Sequence, residues 1–244
     1  MRPSSVQVAL FGLLSLIVLS VIFAFAQPAV HPGRFEFDVR QPLQGLFRAK
    51  PVPALWVLRR YESSGLSNYS MYPLVGPGRH GLSNLAQRFD GGVVTLEGKL
   101  IYNRRLTVIE TEESSIQRVA RAVDYPEPLP PIEYGEVTLR GETIDIKSYA
   151  GYQEPGFGSL LISPASNAIR GGVPAVLVMK NEDGGERAVL LLNERGESLG
   201  DGSLGWVSVP VELQGQLESY GGLPAIKVKS GRRQRLYPWN LFRR

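Results

Sequence analysis

Val94-Thr95-Leu96-Glu97-Gly98-Lys99-Leu100 returns near the other end of the chain as Val211-Glu212-Leu213-Gln214-Gly215-Gln216-Leu217. The shift is 117 positions, and under it Leu74 to Ile109 falls on Leu191 to Ile226 without a gap. Leu74 meets Leu191, Leu82 meets Leu199, Leu106 meets Leu223 and Ile109 meets Ile226, while Phe89 and Trp206 are paired aromatics. Every one of these matches is apolar or glycine. That is the signature of a duplicated core whose surfaces have diverged.

Working outward from the repeat, each copy reads as three strands, a short helix and a closing hairpin. In the first copy the strands fall at Pro42 to Phe47, Ala54 to Leu58 and Tyr72 to Val75. A short amphipathic helix follows at Leu82 to Phe89, then a hairpin over Val93 to Glu110 turning near Asn103-Arg104-Arg105. The second copy restarts at Val137-Thr138-Leu139-Arg140-Gly141-Glu142 and continues through Val173 to Met179 and Ala188 to Leu192. Leu199 to Val207 takes the helix position, and a hairpin over Val209 to Lys229 turns at Tyr220-Gly221-Gly222. Five strands with a helix ahead of the fourth is the order of a small Greek-key barrel of the OB type. Gly45 and Gly98 lie 53 positions apart and Gly141 and Gly215 lie 74 apart, a mismatch of 21 that one insertion at 151–172 would explain. Phe35 to Val39 alternates apolar with charged residues and predicts one further half-buried strand.

The chain has 244 residues, 27 Lys+Arg against 23 Asp+Glu and no cysteine, so it has room for two domains and no thiol chemistry. A net charge of +4 does not demand a polyanionic partner. Val6 to Ala26 is an uncharged apolar run of 21 residues, about 30 Å as a helix, which matches the hydrocarbon core of a bilayer. A cleaved signal peptide using Ala24-Phe25-Ala26 is the competing reading, but its apolar core would be shorter than this run. Both place the body across the membrane, on the periplasmic side. The organisation predicted is a mainly β chain: a tail at 1–5, a transmembrane anchor at 6–26 and a linker at 27–34. A first OB-like barrel at 35–121, a Pro-rich linker at 122–134, a second barrel at 135–230 and a basic aromatic tail at 231–244 complete it.

Gly141-Glu142-Thr143-Ile144-Asp145-Ile146-Lys147-Ser148-Tyr149-Ala150-Gly151, Ile169-Arg170-Gly171-Gly172-Val173-Pro174, Leu74-Val75-Gly76-Pro77-Gly78-Arg79-His80-Gly81 and Gly98-Lys99-Leu100-Ile101-Tyr102 carry a further signal. In these stretches the chain resembles a group of bacterial membrane-anchored proteins with a single N-terminal span and OB-like modules. The resemblance covers most of the chain and brings no activity with it. It implies cysteines in relatives where this chain has Ser148, Pro164 and Ala168, hence a metal or redox site that this chain could not hold.

Asp145, Lys147 and Tyr149 alternate and are predicted to project from one face of a strand, a possible binding face. An ordinary exposed strand face explains the same pattern. Ser148 beside Lys147 makes no dyad, since strand neighbours point to opposite faces. His31 and His80 are the only histidines, and no ligand-spaced cluster accompanies them. Gly76 to Gly81 lacks the Gly-Lys-Ser/Thr ending of a phosphate loop and reads as a turn. From Lys227 onward the chain has no acid; Arg232, Arg233, Arg235, Arg243 and Arg244 interleave with Tyr237, Trp239 and Phe242. Such a tail suits an anionic membrane surface or single-stranded nucleic acid, and an extracytoplasmic body disfavours the latter. No catalytic set, cofactor motif or metal site is read. The function expected is that of a non-enzymatic, membrane-anchored accessory protein that meets another envelope protein. The alternative is an OB-type module binding anionic lipid headgroup, oligosaccharide or nucleic acid.

Overall fold

A computed structural model of the chain describes residues 13–16, 34–59, 68–82, 84–103, 106–119, 125–153, 158–180 and 185–234. Met1–Pro32 and Gly33–Arg244 are separate units. Of the first, residues 13–16 are helical and the rest of the predicted span lies outside the described residues. No helix among the described residues is long and apolar enough to cross a membrane.

Within Gly33–Arg244 the architecture is two closed five-stranded barrels. The first is built from β2 (Gln41–Arg48), β3 (Ala54–Leu58), β4 (Tyr69–Val75), β5 (Val93–Tyr102) and β6 (Thr107–Thr111). Neighbours run β2-β3-β4-β6-β5 and back to β2, all antiparallel except β4 with β6. A short β1 (Arg34–Phe35) and β7 (Gln117–Arg118) pair with opposite ends of β5. The second barrel repeats the circuit with β8 (Ile132–Asp145), β9 (Ala175–Lys180), β10 (Glu186–Leu192), β11 (Pro210–Tyr220) and β12 (Leu223–Arg233), and its one parallel pair is β10 with β12. This is the OB strand order, met twice.

The duplication survives at the level of register. Leu43 faces Leu96 and Gly45 faces Val94 in the first barrel; Leu139 faces Leu213 and Gly141 faces Val211 in the second. The parallel pair Leu74 with Ile109 has its counterpart in Leu191 with Ile226. A Cβ on Gly45 would stand 2.6 Å from the carbonyl oxygen of Trp56, and one on Gly141 would stand 2.3 Å from that of Val178. Each barrel closes too tightly there for any side chain. The offset between copies is 96 on the first strand (Gly45 and Gly141), 122 on the second (Leu55 and Leu177) and 117 on the last three (Leu74 and Leu191). The single insertion expected is therefore corrected. The second barrel has a longer loop between its first two strands and a shorter one between its second and third.

Three local expectations also change. The strand predicted at Phe35 to Val39 stops at Phe35, and a turn at Phe37-Asp38 follows. The helices before the fourth strands are 3-10 turns at Asn84–Phe89 and Gly200–Trp206. The glycines of the second account for the tighter geometry there, since each weakens an α-helix. The segment 151–172, read as turn-rich, contains α1 (Ile162–Arg170), whose Ala165, Ala168 and Ile169 are buried at helical spacing.

The interior of the first barrel is closed by Phe47, Leu55, Leu74, Val94, Leu96 and Ile109. Its outer face is also apolar. Trp56, Met71, Ile101 and Val108 are buried in the same cluster as Ile144, Ile146, Val176 and Tyr149 of the second barrel. The Pro-rich connector lies along the first barrel: Tyr69 Oη donates to the Pro126 carbonyl at 2.7 Å, and Arg48 is paired with Glu127. Gly33–Arg244 is thus one body with a broad internal seam.

Candidate functional site at the seam between barrels

Among the described residues, a buried cluster of ionisable side chains converges on this seam. β8 ends at Asp145, and the chain turns helically from Ile146 to Ala150 before kinking at Gly151. Asp145 starts that turn, its Oδ1 accepting the backbone N–H of Ser148 at 2.8 Å in the manner of an N-cap. Strand alternation therefore fails before Lys147. The predicted exposed face of Asp145, Lys147 and Tyr149 is corrected: they are 1 %, 1 % and 6 % exposed. Aspartate is a favoured N-cap residue, and Asp145 is the signal that would have ended the strand in time.

Lys147 reaches out of the second barrel into the first. Its Nζ donates to the carbonyl oxygens of Gly76 at 2.9 Å and Gly78 at 2.5 Å, and to Glu110 Oε2 at 2.5 Å. Its cation also lies 4.4 Å from the ring centroid of Tyr152. An ammonium has three N–H donors, and all three are used. Burial pulls the amine below the ordinary lysine value, and the Glu110 hydrogen bond pulls the other way. Three acceptors around one nitrogen favour the charged form, because a neutral amine has only two hydrogens to give. Burial likewise raises the Asp145 carboxyl, against the Ser148 N–H, Arg79 and Lys147. Asp145 Oδ2 and Arg79 Nη1 are buried without a hydrogen-bond partner among the described residues, while Arg79 Nη2 donates to Gln153 Oε1 at 3.2 Å.

The stretches that carry the family resemblance turn out to touch one another. The Gly76 N–H donates to the His80 carbonyl at 2.8 Å, closing the Gly76 to Gly81 turn, and the Gly81 N–H donates to the Gly171 carbonyl at 2.8 Å. A Cβ on Gly81 would lie 2.1 Å from the Gly172 oxygen, and one on Gly171 would lie 2.4 Å from the Arg79 oxygen. Asn103 Nδ2 donates to the Tyr149 carbonyl at 2.9 Å. These glycines let two backbones meet across the seam. Neither phosphate binding nor a nucleophile is needed to explain them.

A second meeting point covers part of the face formed by β3 and β4, the second and third strands of the first barrel, where OB barrels commonly bind ligands. The Gly221-Gly222 turn of the second barrel sits on β4, with the Met71 N–H donating to the Gly221 carbonyl at 3.2 Å. A Cβ on Gly221 would come within 2.8 Å of Met71 N and 3.2 Å of the Trp56 ring. Beside it remains a cleft of about 290 Å³ whose polar lining is Arg59, Ser70, Asn103 and Thr107.

The basic tail is only partly as predicted. Arg232 and Arg233 belong to β12, not to a tail. Arg232 and Arg140 each donate through Nε at 2.8 Å to Glu212, whose side chain is 5 % exposed, and Arg233 Nε donates to the Gly205 carbonyl at 2.7 Å. Arg235, Trp239, Arg243 and Arg244 lie outside the described residues. Among the described residues, no three His, Asp or Glu side chains are grouped so as to hold a metal ion.

No family model matches the chain, and a comparison with curated protein sequences finds no match. Among solved structures, the wild-type single-stranded DNA binding protein from Thermus aquaticus is similar over 86% of this chain and 89% of that one, at 13% identity and a TM-score of 0.23. A deletion mutant of the same protein is similar over 86% and 92%, at 13% identity and a TM-score of 0.25. Scores this low carry no argument about this chain. The OB assignment rests on its own strand order and register.

Proposed function

We propose that this protein is a membrane-anchored, extracytoplasmic accessory protein: a rigid two-barrel body offered to another envelope protein, with no reaction of its own. The carrying observation is that Lys147 and Glu110, a buried ionisable pair well suited to chemistry, are spent on joining the barrels, while Asp145 caps the turn that carries Lys147. The turn at Gly221-Gly222 likewise occupies the face that an isolated OB barrel would present to a polymer. The apolar run Val6 to Ala26 supports the anchor, and Leu13, Leu14 and Leu16 within it are helical and exposed. Membership of the single-span group with OB-like modules belongs to the same proposal. Crosslinking in intact membranes, followed by mild solubilisation, should recover a stoichiometric envelope protein. A clean monomer under those conditions would reject the accessory role. A phosphatase fused at the C-terminus should be active only if that end lies outside the cytoplasm.

The cleft beside the Gly221-Gly222 turn favours a second reading, a module for a small anionic ligand held by Arg59 and neighbouring polar groups. A volume of about 290 Å³ is small enough to suit a mononucleotide or short sugar acid. Titration with mononucleotides, oligonucleotides and sugar acids, each with Arg59→Ala as the control, separates this reading from the first. Saturable binding lost in the variant would favour it, and oligonucleotide binding would restore nucleic acid as a partner.

A further inference from the structure

Near its start the body carries an aromatic that is held in place yet mostly exposed. β1 joins β5 through Arg34 with Tyr102 and Phe35 with Ile101, and the Glu36 N–H donates to the Leu100 carbonyl at 2.9 Å. The chain then turns, the Phe37 N–H donating to the Phe35 carbonyl at 2.9 Å and the Val39 N–H to that of Glu36 at 3.3 Å. Phe37 is left 63% exposed and Val39 48% exposed. Phe37 is nevertheless fixed. Its ring meets Phe35 edge-on at 5.4 Å, Lys99 Nζ stands 4.2 Å from its centroid, and Phe35 packs on Tyr152 at 5.7 Å.

An apolar tip backed by a lysine matches the pattern of an interfacial anchor, in which an aromatic sits at headgroup level and a cation reaches toward water. On the membrane-anchor reading, the length of chain ahead of it keeps the turn close to the bilayer. Only residues 27–33 separate the end of the apolar run at Ala26 from Arg34. Seven residues reach at most about 25 Å when extended, and part of that lies within a headgroup layer of about 5–8 Å. Charge does not explain the surface. Arg34, Arg40 and Lys99 are offset by Glu36, Asp38, Glu97 and Glu112, with Arg40 bonded to Glu112 at 3.1 Å.

We infer that the Phe37–Val39 turn is a lipid-contacting foot, which seats Phe37 and Val39 in the headgroup region of the bilayer that the leader enters. The inference rests on the membrane-anchor reading. The contact is apolar, so zwitterionic lipid suffices for it.

The absence of cysteine makes the test clean. The full chain carrying Asp38→Cys, which keeps Phe37 and Val39, is labelled with an environment-sensitive fluorophore and reconstituted into phosphatidylcholine vesicles. Ser230→Cys, exposed on β12, serves as the control. Vesicle flotation comes first; a chain that does not float rejects the anchor reading itself. In floated protein, lipids carrying a spin label near the headgroup should quench the probe at 38 at least twofold and leave the probe at 230 unchanged. Adding Phe37→Ser and Val39→Ser should bring quenching at 38 down to the control level while flotation persists. An unquenched probe at 38 in floated protein overturns the foot, as does quenching untouched by the serine substitutions. A probe shielded from aqueous iodide yet out of reach of the lipid label would mean that protein covers the turn, and would overturn the lipid assignment.

Discussion

Lys147 shows how much a single side chain can be asked to hold. Removing it strands Glu110, 7 % exposed, as a buried carboxylate, and leaves the carbonyls of Gly76 and Gly78 without their donor. Lys147→Met should therefore destabilise the body by about 3–5 kcal/mol in urea unfolding. Lys147→Met with Glu110→Leu should recover much of the loss, because no lone charge remains. Additive losses in that double-mutant cycle would contradict the pairing. Asp145 makes an independent prediction. Burial raises its carboxyl above the ordinary value, so between those two values the folded protein holds a proton that the unfolded chain has released. Stability must then fall as pH rises through that window. Asp145→Asn keeps an acceptor for the Ser148 N–H and has no proton to lose. It should flatten that part of the stability profile and exceed the wild type in stability above the window, as thermal melts at stepped pH would reveal. Both residues were visible in the sequence as chemistry-bearing, but their burial was not. A charge in an alternating run reads as a solvated position, and only the three acceptors supplied by the other barrel make burial tolerable.

At the scale of elements, the repeat was legible because it is written in side chains that face their own barrel. The pairs Leu96 with Leu213 and Ile109 with Ile226 keep one register whatever happens outside. Trp56, Met71, Ile101 and Val108 were equally apolar in the sequence, yet periodicity does not say whether an apolar position faces its own interior or a neighbour. The seam was therefore missed, and α1 with it, although Ala165, Ala168 and Ile169 carry helical spacing. The glycine contacts are the element most open to test. Gly81→Ala forces a Cβ against the Gly172 carbonyl, which as backbone cannot step aside. A loss of about 1–3 kcal/mol is expected, and hydrogen exchange should quicken at Asn103, Tyr149 and Met71 while β5 and β11 stay protected. Unchanged exchange at those three residues would show that the Gly81–Gly171 contact does not hold the seam.

For the whole molecule, the apolar cluster that runs from the outer face of the first barrel into the second implies joint stability. Urea unfolding of the full chain should give one transition, with tryptophans at 56 and 206, one from each barrel, reporting the same midpoint. Two separated midpoints would mean that the barrels melt independently.

The way Tyr69 and Arg48 hold the connector at Pro126 and Glu127 reaches beyond equilibrium stability. A polypeptide whose halves are sewn together along their flanks no longer needs the peptide bonds between them. Were a protease site introduced between Val119 and Tyr125 and cut, the fragments should co-migrate through gel filtration and part only in denaturant. Gene duplication would then have left a dimer written as one chain, in which covalent continuity guarantees one-to-one stoichiometry while non-covalent contact keeps the pair assembled.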